Sequence, residues 1–178
     1  MRENRGQVFA LEGVLAALVV LAALAFALQA VVLTPTTSGA TEAPVDSALV
    51  GSVLTTTAAD GDLRTALVDD WAGTSFGGAT GRWYTGSYPS NKFGTALEES
   101  FGPAVTANVV IRYRTPGDGR QRTRLVYNGA PGDGAVRSST TVTLYDRHVS
   151  SPGTFYAKDV SPSELYNVLE VEVVAWRG

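Results

Sequence analysis

From Gly13 to Leu33 the chain carries a single polar side chain, Gln29, and one carboxylate, Glu12, stands at the front edge of the run. At about 1.5 Å per residue this stretch makes a helix roughly 31 Å long, against a hydrocarbon core of about 30 Å. Its length predicts a long N-terminal transmembrane helix over residues 7–33. Arg2 and Arg5 precede the run and Glu3 is the only acid before it, so residues 1–6 are expected to stay cytoplasmic and the rest of the chain to be exported. Thr34-Pro35-Thr36-Thr37-Ser38-Gly39 breaks the helix, because proline disfavours helix at the residue before it. Residues 34–40 are therefore expected to be a linker.

The N-terminal pattern fits three kinds of segment. A secretory signal peptide would be cut near Ala25-Phe26-Ala27, but this apolar region exceeds the usual 7–15 residues. A plain membrane anchor needs only the length. The third is a prepilin-type leader: Arg5-Gly6-Gln7 resembles the cleavage site of archaeal class III signal peptides, with the cut after Gly6. Such a cut leaves the apolar segment on the mature chain and makes Glu12 the sixth mature residue. The resemblance implies that the partner of Glu12 is the new amino group of a neighbouring subunit. Bacterial type IV pilins place this glutamate fifth and usually begin with an aromatic; Gln7 is closer to archaeal filament proteins.

Beyond the linker, 178 residues leave room for one modest domain. The absence of cysteine excludes disulfides, zinc-thiolate sites and cysteine nucleophiles. A net charge of −3 gives no global argument for nucleic acid, and none is expected as a partner. Residues 41–102 are expected to be helical with an aromatic loop. Thr41 is a candidate cap and Pro44 fits a first turn, with Val45, Ala48, Leu49, Ser52 and Val53 as the apolar face. Asp62 is read as the cap of a short helix carrying Leu63, Leu67, Val68 and Trp71. Gly73–Pro89 is a Gly/Ser/Thr-rich loop bearing Trp83, Tyr84 and Tyr88, which either offer a partner surface or pin the loop to the core. Ser90-Asn91 caps a helix whose inner face is Phe93, Leu97 and Phe101.

Residues 103–178 are expected to form an antiparallel β domain. Val105, Ala107, Val109, Ile111 and Tyr113 alternate with polar residues, which marks a half-buried strand. A strand at 121–128, burying Leu125 and Tyr127, follows, and then strands at 136–145 and 166–176. The two Pro-Gly-Asp-Gly stretches at 116–119 and 131–134 are turns, each with too few carboxylates for calcium. Arg112, Arg114, Arg120, Arg122 and Arg124 cluster on the first hairpin. They are expected to pair with acids such as Glu170 and Glu172, because no aromatic pattern along these strands supports stacking on bases. No nucleophile elbow, phosphate loop or metal-spaced His/Glu pair occurs, so neither enzyme activity nor a cofactor is expected.

Several stretches together resemble a pilin-like family of membrane proteins from halophilic archaea: Leu11-Glu12-Gly13, Phe26-Ala27-Leu28-Gln29, Leu125-Val126-Tyr127, Thr140 to Asp146 and Val171 to Trp176. The resemblance implies a long N-terminal helix feeding a mostly β head, an α+β arrangement with a four-stranded sheet. It implies a non-enzymatic, pilin-like subunit of a type IV pilus-like filament or cell-surface assembly. The alternative is a single-pass anchored binding domain that never polymerises. The implied partners are the lipid bilayer, other pilin-like subunits, and a prepilin-type peptidase reading Arg5, Gly6 and Gln7, with Glu12 setting subunit register.

Overall fold

The computed structural model describes residues 12–23 and 45–178. The chain divides into two compact units, Met1–Glu42 and Ala43–Gly178. In the first, residues 12–23 form helix α1. This corrects the expected fold class, which included a transmembrane helix over residues 7–33: among the described residues no helix is long and apolar enough to cross a membrane. The rest of the expected helix, its leader (Arg5, Gly6 and Gln7) and the linker lie outside the described residues.

The second unit packs three helices, α2 (Ser47–Ala59), α3 (Asp62–Val68) and α4 (Lys92–Phe101), with an antiparallel sheet of four strands, β1 (Val105–Thr115), β2 (Gly119–Val126), β3 (Val136–Tyr145) and β4 (Leu165–Arg177). The strand order is β2-β1-β4-β3, so β2 and β3 are the edges. This is an α+β layer arrangement, in which helices cover the apolar face of an antiparallel sheet. The alternation read in β1 is the one observed: Ala107, Val109, Ile111 and Tyr113 are buried, and Leu169, Val171, Val173 and Ala175 of β4 lie beside them in the core.

Local chemistry sets the helix ends. The Asp46 carboxylate accepts from the Ala48 amide at 2.8 Å and begins α2. The expected cap, Thr41, lies outside the described residues. The buried face of α2 is Val50, Val53, Leu54 and Thr57, whereas Ala48 and Leu49 are exposed. Thr57 is tolerated inside because its hydroxyl donates to the Val53 carbonyl at 2.7 Å. Asp62 occupies the first turn of α3, and Gly61, in the left-handed conformation, precedes it as the cap. The Asn91 side chain accepts from the Gly94 amide at 2.9 Å, so Asn91 caps α4 as expected. Gly94 has a second role. A Cβ there would overlap the Pro89 backbone, so α4 sits against the end of the preceding loop only because this residue has no side chain.

Candidate functional site: a basic sheet face edged by aromatic rings

The inner face of the sheet is committed to the core. The outer face carries the charge. Register fixes which side chains share it: Arg124 lies opposite Val110, Arg122 opposite Arg112, and Arg120 opposite Arg114. On the other side, Val110 lies opposite Glu172 and Arg112 opposite Glu170, and Val174 stands between Asn108 and Arg137. Antiparallel partners project from the same side of a sheet. One face therefore holds six arginines and two glutamates in a chain whose net charge is −3.

The expected pairing with acids holds for one arginine. Arg112 reaches Glu172 at 2.6 Å and Glu170 at 3.6 Å. Arg114, Arg120, Arg122 and Arg137 are exposed and make no ion pair among the described residues. Two arginine pairs face each other directly across β1 and β2, an arrangement that costs stability.

Arg124 is held differently. Its guanidinium carbon lies 4.1 Å from the Tyr127 ring centroid and 5.2 Å from that of Trp83. The two rings meet edge to face at 6.3 Å. A cation over aromatic faces is attracted by the ring quadrupoles, at about 0.5–1 kcal/mol for an exposed site.

Tyr127 reaches this face through a bulge. The register of β1 with β2 shifts between Val109 and Val110, and Leu125 and Val126 are both buried in succession. The extra residue reverses the alternation that follows. Tyr127 therefore leaves the core side, where Leu125 stays, and joins the arginines. This corrects the expectation that Tyr127 is buried with Leu125.

The aromatic loop arrives from far along the chain. The Tyr84 amide donates to the Leu125 carbonyl and the Tyr127 amide donates to the Tyr84 carbonyl, each at 2.9 Å, which adds one parallel bridge to the β2 edge. Asn128 completes the clamp. Its Nδ2 donates to the Ala107 carbonyl at 2.9 Å, its Oδ1 accepts from the Gly86 amide at 2.7 Å, and its amide donates to Asn108 Oδ1 at 2.7 Å. Asn108, Asn128 and Arg137 were not among the site residues expected from the sequence, and Tyr127 was expected only as a core residue. The Asn128-Gly129 pair was their one local signal, a turn at the end of a strand.

The three loop aromatics do not form one surface. Trp83 stands on the basic face. Tyr84 is buried, donates its hydroxyl to the Gly77 carbonyl and acts as the loop's peg. Burial, and then the Asp70 carboxylate, push its phenol above the ordinary value, so it remains a neutral donor. Tyr88 turns away to a separate open cleft of about 870 Å³ with Glu98, Thr106 and Asn128. Glu12 is the first described residue of α1.

A groove of about 420 Å³ runs across the basic face, floored by Val110 and Val174 and walled by Arg122, Arg124, Tyr127 and Arg137. Another cleft of about 630 Å³ includes Trp71, Tyr113 and Tyr156. There the Trp71 ring nitrogen already donates to the Thr154 carbonyl and the Tyr156 hydroxyl to the Leu67 carbonyl, so these rings fasten loops together. Among the described residues no group of three His, Asp or Glu side chains is placed to hold a metal ion.

No curated protein and no solved structure matches the chain. A family model does, over residues 5–175, and the chain belongs to that family, DUF7288, a family of unknown function.

Proposed function

We propose that this chain is a non-enzymatic, pilin-like subunit of a cell-surface assembly, and that its apolar N-terminal segment is the element through which it associates. The observation that carries this reading is the surface of α1. Val14, Leu15, Leu18, Val19, Val20 and Leu21 are each between 55% and 66% exposed among the described residues. Apolar side chains left bare all round a helix require a partner. Lipid and the matching helix of another copy are both suited to that surface. Gly13, Ala16, Ala17, Ala22 and Ala23 let a second helix come close.

The resemblance of Arg5-Gly6-Gln7 to a class III signal peptide, and of the longer stretches to pilin-like proteins of halophilic archaea, supplies the rest. A prepilin-type peptidase would cut after Gly6, and Glu12 would meet the new amino group of the next subunit. The absence of cysteine makes the test clean. A single Ala17→Cys variant, oxidised in cell envelopes, should give disulfide-linked dimers, and adding Glu12→Gln should reduce their yield. A chain that stays monomeric with cysteine at each of positions 14–21 would instead be the lone anchored domain.

A further inference from the structure

We propose that the outer face of the sheet binds single-stranded nucleic acid, laid along β2 with its phosphates on the arginine ladder and a base against Trp83. This inference does not depend on the N-terminal segment.

Charge complementarity carries it first. Arg120, Arg122 and Arg124 occupy alternate positions of β2, so they stand about 6.8 Å apart along an extended strand. That step is comparable to the repeat between successive phosphates of an extended single strand. Arg114 stands beside Arg120 as a second row. Arg112 is neutralised by Glu170 and Glu172, which limits the binding track to the β2 side of the face. An internal carboxylate supply would relieve the opposed arginines, and among the described residues Arg114, Arg120 and Arg122 have none. A polyanion would relieve them all at once.

The second observation separates nucleic acid from a bare polyanion. Non-specific single-strand sites combine a cationic track with aromatic platforms for the bases. Trp83 and Tyr127 stand at one end of the ladder and are only half-buried, and Arg124 lies against both. The groove is open, with an apolar floor at Val110 and Val174 and the Arg112–Glu172 pair on its lining away from β2, so it suits a chain passing along the arginine side better than an enclosed small molecule.

The test is anisotropy titration of the full-length chain, in mild detergent, with a fluorescein-labelled oligothymidylate at several salt concentrations. Four unpaired or aromatic-held arginines, Arg114, Arg120, Arg122 and Arg124, predict a log–log salt slope of about −2.8, at roughly −0.7 per phosphate neutralised. Arg120→Gln, Arg122→Gln and Arg124→Gln together should weaken binding by more than about tenfold and flatten the slope to about −0.7. Trp83→Ala should weaken it about tenfold and leave the slope unchanged, since stacking releases no counterions. Exchanging the exposed Lys158 for Gln should change neither, and circular dichroism verifies folding of each variant. No binding at low salt, or unchanged binding by the triple variant, overturns the proposal. So does inorganic polyphosphate binding as tightly as the oligonucleotide with Trp83→Ala without effect, because the face would then read phosphate alone.

Discussion

The two edges of the sheet solve one problem in different ways. An edge strand offers unpaired backbone groups to any passing strand, and proteins blunt such edges. β3 turns outward one arginine, Arg137, and then hydroxyls, Ser139, Thr141 and Thr143, while α2 packs against its inner side. β2 turns out Arg120, Arg122 and Arg124, and the Tyr84 loop bridges its last residues. One arginine would deter strand addition. Three in file, two of them opposite further arginines, exceed that need and reduce stability. The β3 edge is built for the fold alone, whereas the β2 edge keeps a cost that a ligand would offset.

Four experiments break or sharpen this contrast. Gly94→Ala should have the largest effect, destabilising the head by about 1–3 kcal/mol, because the new Cβ meets the Pro89 backbone. Denaturant titration gives the loss. Hydrogen exchange should show β2 and the Tyr84 bridge opening before β3, and equal opening of both edges would sink this placement of the damage. Asn128→Ala removes the side-chain bonds to Ala107 and Gly86, at a cost of about 1–3 kcal/mol, and should free Trp83 from Arg124. Tryptophan fluorescence reports that release, although Trp71 and Trp176 add a background.

The third experiment reverses a sign within one row. Arg122→Gln should raise stability by about 0.2–1 kcal/mol by removing its like-charge pair with Arg112, while Arg112→Gln removes that same pair but should still lower stability, because the two ion pairs lost with it outweigh the relief. The second change leaves Glu170 and Glu172 without their cation. Equal effects of the two on thermal stability would show that the opposed arginines cost nothing.

The smallest effect belongs to the other edge. At the end of β3 the His148 Nδ1 accepts from the Tyr145 amide at 3.2 Å. Burial, then Arg64 and Arg147, hold the imidazole below its ordinary value of 6.5, with Asp69 opposing them. The unfolded chain thus takes up a proton at higher pH than the folded one. The contribution is fully present above about 6.5 and is lost as pH falls through the folded value. Titrating stability from pH 7.5 to 5 should show a decline that His148→Gln removes.

Much of the head was legible in the sequence. All four strands, the inner row of β1 and the Asn91 cap follow from period-two alternation and short-range cap chemistry, which tertiary packing did not override. The α2 face was not legible, because apolar residues and threonines surround that helix and no stripe is unique. The site was half legible. The arginine cluster is local in sequence, but Trp83 comes from a distant loop and Tyr127 is turned outward by a bulge between two apolar residues, which leaves no mark on the pattern. The ground for dismissing base stacking, the lack of aromatics along the arginine strands, therefore disappears once the chain is folded. The transmembrane expectation relied on apolar composition over residues 7–33, and among the described residues no helix is long and apolar enough to cross a membrane.

The central claim is that the mature protein keeps its apolar segment and uses it to associate. Intact mass of the protein isolated from its native cells tests this most directly. The account predicts a chain beginning at Gln7, with α1 retained; a chain beginning near Leu28, from which α1 has been cut away, would contradict it.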